Sequence, residues 1–166
     1  MNIRSAEKSE INQLAQIWYQ GWRDAHPQIL PAELARDRTL ESFLARLDGA
    51  LADVRVAGPP GEPAGFAIVK NDELYQLYVS RQSRGAGVAA ALIADAETRL
   101  VLEGVRRAWL ACAIGNERAA RFYEKNGWHR VGSMTSILET ASGPFSLVVW
   151  RYEKNLAGPA EPSLSS

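Results

Sequence analysis

The sequence predicts an α+β protein, an α/β/α sandwich around a mixed, mostly antiparallel central sheet with one parallel strand pair. Three observations lead there. Residues 53–79 hold three closely spaced β-rich runs separated by turn residues, the pattern of an antiparallel meander. Residues 73–114 then run strand, helix, strand, and a helical connection of that length joins parallel neighbours. The apolar pattern also turns helical at residue 85 and returns to extended near residue 106.

The elements follow in order. "NIRSA" (2–6) is a short first strand. "SEINQLAQIWYQGW" (9–22) is a helix, because Ile11, Leu14, Ala15 and Trp18 recur on one helical face, with Ser5 or Ser9 as its cap. Two prolines break residues 21–31 into a loop, and 32–47 reads as one or two helical pieces. Strands at 53–58 and 64–70 flank the turn "PPGEP", and Asn71-Asp72 reverses the chain into a third strand, "ELYQLYV" (73–79). From Gly85 to Glu103 the stripe Ala89, Leu92, Ile93, Ala96 and Leu100 is helical, and Gly104 ends it. "RRAWLACAI" (106–114) is nearly all apolar, as expected of a strand covered on both faces. "NERAARFYEKNGW" (116–128) is a short helix capped by Asn116, and residues 128–134 and 144–155 close the sheet. Residues 1–155 are expected to form one domain, followed by a disordered tail at 156–166.

Composition excludes several function classes. The chain has 166 residues and 19 charges of each sign, so bulk positive charge does not recruit nucleic acid. No apolar run is long enough to span a membrane, and "MNIRSAEKSE" is too polar for an export signal, so the expected location is cytoplasmic. The single cysteine, Cys112, lies mid-strand and reads as a buried structural thiol rather than a nucleophile. No His/Cys/acid cluster has metal-ligand spacing, so no metal is expected.

"RQSRGAGVAAALI" (81–93) raises the functional question. Glycine in a first helical turn lowers stability, so the bare backbone at Gly85 and Gly87 needs a reason. Helix N-termini expose unpaired N–H groups and the positive end of the dipole, and glycines let a phosphate oxygen approach them. Arg84 adds a charge suited to phosphate. The competing readings are a tight turn needing glycine for conformation alone, and a dinucleotide fingerprint, which "GAGVAA" (85–90) satisfies loosely.

The segment Arg84-Gly85-Ala86-Gly87-Val88-Ala89 resembles the [Q/R]-x-x-G-x-[G/A] signature of the GCN5-related N-acetyltransferases, with Val79 and Leu92 agreeing in the longer form and Arg81 replacing its proline. A second block, "NERAARFYEKNGW", is similar to the family's N-x-x-A-x-x-[F/L]-Y-x-[K/R]-x-G-[F/W]. The resemblance covers residues 53–134 and implies a splayed parallel strand pair with acetyl-CoA as co-substrate. It implies that main-chain groups from Arg84 to Ala89 (Arg84, Gly85, Ala86, Gly87, Val88, Ala89) hold the pyrophosphate, and that Leu77, Tyr78 and Val79 pair with the pantetheine arm. It also implies that Asn116 meets the pantetheine amides and that Tyr123 approaches the sulfur. Without the resemblance, Asn116 reads as a cap and Tyr123 as a half-buried aromatic.

Acetyl transfer requires a deprotonated amine, a donor for the acyl oxygen and a proton for the leaving thiolate. Tyr123 is the expected acid, and Glu73, at a position where several family members carry a catalytic glutamate, the expected base; simple alternation sets Glu73 on the face of Tyr75, Leu77 and Val79, opposite Gln76. The acceptor side falls in the region of Trp18, Trp22, Asp24 and His26, of which Trp22 and His26 are the candidate substrate contacts; His129 receives no role. The expected function is transfer of an acetyl group from acetyl-CoA to a primary amine of a small molecule, or of a protein, by direct attack in a ternary complex. The alternatives are a non-catalytic acyl-CoA-binding regulatory module and a dinucleotide-dependent oxidoreductase. The family also allows a homodimer.

Overall fold

The computed structural model describes residues 1–156. Seven strands form one sheet: β1 (Ile3–Ser5), β2 (Val54–Ala57), β3 (Gly65–Lys70), β4 (Glu73–Val79), β5 (Arg107–Ala113), β6 (His129–Thr140) and β7 (Gly143–Asn155). Their order is β1-β2-β3-β4-β5-β7-β6, and every neighbouring pair is antiparallel except β4 and β5. Five α-helices cover it: α1 (Ile11–Ala25), α2 (Ala32–Asp37), α3 (Leu40–Ala50), α4 (Val88–Leu102) and α5 (Glu117–Lys125). Among the described residues, no helix is long and apolar enough to cross a membrane.

Two cores lie on opposite faces of the sheet, which makes the three layers. Trp18, Leu34, Phe43 and Leu47 of α1, α2 and α3 pack on Val54, Val56, Phe66 and Ile68. Val88, Leu92, Ile93 and Leu100 of α4 pack with Ala67, Leu110, Trp128 and Tyr152 on the other side. Alternation along β2 and β3 divides their residues between the two cores. Leu156, at the start of the expected tail, is buried in the α4 core and its N–H donates to the Arg106 carbonyl at 2.8 Å; the remainder of that tail lies outside the described residues.

Several local expectations change. The helix at "GAGVAA" begins at Val88, not Gly85, because Gly85 and Gly87 hold φ of +82° and +80°, a left-handed conformation that a helical first turn does not allow. Neither Ser5 nor Ser9 caps the first helix. Glu7 and Glu10 form a reciprocal capping box around a short 3₁₀ turn instead. The first strand of the terminal hairpin runs to Thr140 rather than stopping at residue 134, paired to β7 throughout apart from a slip between Arg130 and Gly132.

Glu10 anchors α1 against the sheet. It is fully buried and accepts from Arg4 Nη1 at 2.8 Å, Arg4 Nη2 at 2.7 Å, the Glu7 N–H at 2.9 Å and the Gly61 N–H at 3.1 Å. The Arg4 hydrogen bonds hold its carboxyl at a pKa of about 2 despite burial. Replacing it leaves the half-buried Arg4 guanidinium without its counter-charge and two amides without their acceptor, so Glu10→Ala is expected to cost about 3 kcal/mol in a urea unfolding curve. The pair's contribution is full above the unfolded carboxyl pKa near 4.5 and fades as pH falls toward 2.

Candidate functional site

The strands β4 and β5 meet at one ladder pair, Glu73 with Trp109, beside the bond from the Trp109 N–H to the Asp72 carbonyl at 3.1 Å. Beyond it they part. The edge of β4 from Gln76 to Val79 that faces away from β3 then has no strand partner among the described residues. A cleft of about 850 Å³ occupies the gap and runs between α1, α4, α5 and the terminal hairpin.

The turn before α4 closes one end of this cleft. Among the described residues, none accepts a hydrogen bond from the main-chain N–H groups of Gly85 to Ala90. A Cβ at Gly85 or Gly87 would meet nothing within 4 Å, so both glycines serve backbone conformation and access rather than packing. Gly85, Gly87, Val88 and Ala89 line the cleft, whereas the exposed Ala86 does not. Arg84 lines it too, but its Nη2 donates to Asp24 Oδ2 at 3.0 Å, and Arg81 makes a bidentate pair with the same carboxylate. The Arg81 hydrogen bonds hold Asp24 at a pKa of about 2, so this rim carries two positive charges and one negative.

Asn116, the N-cap of α5, and Tyr123 within it both line the cleft. Asn116 Oδ1 accepts from the Ala119 N–H at 3.3 Å, which is the cap read from sequence. Tyr123 is half-buried between Phe122 and Tyr152, and its hydroxyl has no hydrogen-bond partner among the described residues. Burial pushes its pKa above the ordinary phenol value, so it stays protonated at neutral pH. Cys112 also borders the cleft, and burial raises its thiol to about 12, which keeps it from serving as a thiolate.

Glu73 sits where the strands begin to part, and burial lifts its pKa to about 7. Alternation holds as far as Tyr75, which shares the α1 face with Glu73, and fails beyond it. Val69 pairs with Leu74 and Ile68 with Gln76, so Tyr75 is an extra residue, a β-bulge. The bulge brings Glu73, Gln76 and Tyr78 onto the α1 face and turns Leu77 and Val79 toward α4. The Tyr78 side chain packs on Trp18 and Phe66, so only its backbone is left for the gap. A Cβ on Gly21 would collide with the Tyr78 ring, which is why α1 carries a glycine in mid-helix.

On the acceptor side, Trp22 and His26 line the cleft with their rings 5.2 Å apart. His26 Nδ1 lies 3.2 Å from the Trp22 carbonyl, and burial lowers its pKa to about 4, so the ring is neutral at physiological pH. Sequence reading passed over Arg38, Arg46, Tyr75, Ser136, Leu138 and Leu147, which also line this space or its extension. The signal for Arg46 was present: it falls between Phe43 and Leu47, on the inward stripe of α3. Arg38 precedes the α3 cap Thr39 and had none. Among the described residues, no group of three or more His, Cys, Asp or Glu is placed to hold a metal ion.

Comparison with known proteins agrees with this geometry. A protein of Mycobacterium tuberculosis named as an uncharacterised N-acetyltransferase is 33% identical over 120 residues, covering 66% of this chain and 76% of its own. The fold is shared with a GCN5-related N-acetyltransferase from Rhodopseudomonas palustris (TM-score 0.72, 22% identity, 93% of this chain and 95% of the other). It is shared too with the PaiA N-acetyltransferase of Thermoplasma acidophilum, solved in complex with coenzyme A (TM-score 0.62, 20% identity, 93% and 98%). The YncA putative acetyltransferase of Salmonella typhimurium, solved with acetyl-CoA, has a TM-score of 0.67 at 16% identity over 99% and 98% of the two chains. The acetyltransferase (GNAT) family pattern matches residues 9–128, through both sequence blocks and the parted strands, and the chain belongs to that family.

Proposed function

We propose that this protein transfers an acetyl group from acetyl-CoA to the primary amine of a small molecule, by direct attack in a ternary complex. The observation that carries the reading is the unpartnered run of amides at Gly85 to Ala90, opening onto a cleft that also receives Glu73 and the free Tyr123 hydroxyl. Acetyl-CoA supplies an acyl carbon activated as a thioester and a thiolate as leaving group. The chain's own groups would do the rest. The amides from Gly85 to Ala89 and the net charge of the Arg81–Asp24–Arg84 rim bind a diphosphate, the Arg84 N–H itself being bonded to the Arg81 carbonyl at 3.5 Å. The unpaired edge of β4 at Leu77, Tyr78 and Val79 takes an extended amide chain as a further strand would, and Asn116 adds its amide N–H groups.

Glu73, poised at about 7, takes the proton that the amine must lose, directly or through water. A main-chain N–H of β4 donates to the acyl oxygen as charge develops on it. The amine nitrogen bonds to the acyl carbon, the carbon–sulfur bond breaks, Tyr123 gives its proton to the sulfur, and the proton still carried by the new amide nitrogen passes through water to the Tyr123 oxygen. Burial keeps the Tyr123 phenol protonated at neutral pH, so its O–H is available to donate to the departing sulfur.

The test is an amine panel assayed with acetyl-CoA for released thiol, together with calorimetric titration of CoA and of NADH. The expected result is CoA binding and thiol release that depends on the added amine. CoA binding with no release from any amine would favour an acyl-CoA-sensing module, and NADH binding without CoA binding would overturn the reading altogether.

A further inference from the structure

The cleft ends, between α1, α3 and the β6–β7 hairpin, in a compartment rich in hydrogen-bond donors, where two guanidinium groups have no ion-pair partner among the described residues. Arg38 is only 5% exposed, and its one side-chain hydrogen bond among the described residues runs from Nη1 to the Glu139 carbonyl at 3.0 Å. Arg46 donates from Nη2 to Tyr75 Oη at 2.8 Å and lies 4.3 Å above the Trp18 ring. Neither guanidinium forms an ion pair with a described residue. Trp18, 1% exposed, has an indole N–H that makes no full hydrogen bond among the described residues, with the Tyr78 hydroxyl as its neighbour.

This arrangement is unlike the rest of the molecule. Arg4 is paired with Glu10, Arg55 with Asp95, Arg81 and Arg84 with Asp24, and Arg107 and Arg151 with Glu153, although all are more exposed than Arg38. A buried guanidinium without a counter-ion is costly, and a second cation beside it adds repulsion. Burial and the nearby Arg46 charge lower Arg38 to about 10. Three carboxylates are near without relieving it. Asp37 attracts Arg38 only at a distance and accepts from the Ser142 hydroxyl at 3.1 Å, while Glu73 and Glu139 border the adjoining space of about 340 Å³ and pair with neither arginine.

We infer that this compartment receives an oxyanion, a carboxylate or phosphate, carried by the acceptor, whose amine end is directed to Glu73. The inference rests on the proposed function for the amine end alone. The acceptor is then an amino-acid-like or phosphorylated amine, and polycations are excluded by the two arginines. Trp18, Trp22, Leu30 and Leu34 give the same end an apolar wall, which suits a hydrophobic side chain beside the anion.

The test compares acetylation of leucine with leucinamide, and of O-phosphoethanolamine with ethanolamine, by thiol release. The amide of an amino acid has a less basic amine, so intrinsic reactivity favours the neutral partner and works against the inference. The expected result is a kcat/KM about 10- to 100-fold higher for an anionic partner in one pair, the size of one charge-assisted hydrogen-bond set. Which pair responds separates carboxylate from phosphate. Arg46→Gln is expected to collapse the ratio toward one, and Arg46→Lys to restore part of it. Calorimetric titration of N-acetylleucine and N-acetylleucinamide onto the CoA-loaded protein reads the same preference without turnover. Thiol release with equal rates in both pairs, or a preference for spermidine, would overturn the anion site and leave the acetyltransferase reading standing. No thiol release from any amine, with N-acetylleucine still preferred over its amide, would sink that reading and leave the anion site.

Discussion

Tyr123→Phe is expected to lower kcat for acetyl transfer by about 10²-fold while leaving the Kd for CoA unchanged. The magnitude belongs to the low end of general-acid effects, since a thiol of pKa near 8.5 is already a fair leaving group. The variant is a clean one. The Tyr123 hydroxyl has no partner among the described residues, so its removal orphans no donor or acceptor, and the ring keeps its contacts with Phe122 and Tyr152. Single-turnover rates and a thermal melt separate lost chemistry from lost fold. A kcat within threefold of the parent, with CoA still bound, would remove Tyr123 from the reaction.

Glu73→Gln is expected to lower kcat/KM by about 10²-fold at pH 7.5 and to abolish a limb of the pH profile. The sign follows from the raised pKa. Below about 7 the carboxyl holds its proton and cannot accept another, so the parent's rate climbs as pH passes through that value. The amine's own deprotonation contributes a separate rise near its ordinary pKa of about 10, and this should survive the substitution. Stability moves the opposite way. A carboxyl whose folded pKa lies above its unfolded value contributes fully below about 4.5, and that contribution is lost as pH rises through about 7. Glutamine cannot ionise, so the variant's melting temperature should gain on the parent's between pH 5 and pH 8. A variant that loses activity but retains the limb near 7 would assign the base to another group.

Much of the fold was legible because it is written in short-range patterns. The stripe Leu92, Ile93, Ala96 and Leu100 and the apolar run of β5 depend on neighbours in the chain, and each formed its expected element. The amide turn was legible for the same reason, although its glycines precede the helix rather than open it. The long β6 was not. Burial alternates from Met134 to Thr140, but the half-buried positions include the polar Ser136 and Thr140 and the exposed ones the apolar Ile137, so the residue types do not show where the strand ends. The bulge at Tyr75 was hidden as well, since it is defined by the register of β3 against β4 and leaves no mark in "ELYQLYV".

The chain's own order of residues therefore determined the elements, their succession, the open amides before α4 and the placing of Asn116 and Tyr123 on one helix. Only the tertiary structure decided that β4 and β5 part after Glu73, that Glu73 turns toward α1, that Asp24 occupies Arg84, and that Arg38 and Arg46 meet near Trp18 with no ion pair among the described residues. The physical reason is range. Propensity, capping and periodicity act over a few residues, whereas burial, register and ion pairing depend on what another segment brings to the same place.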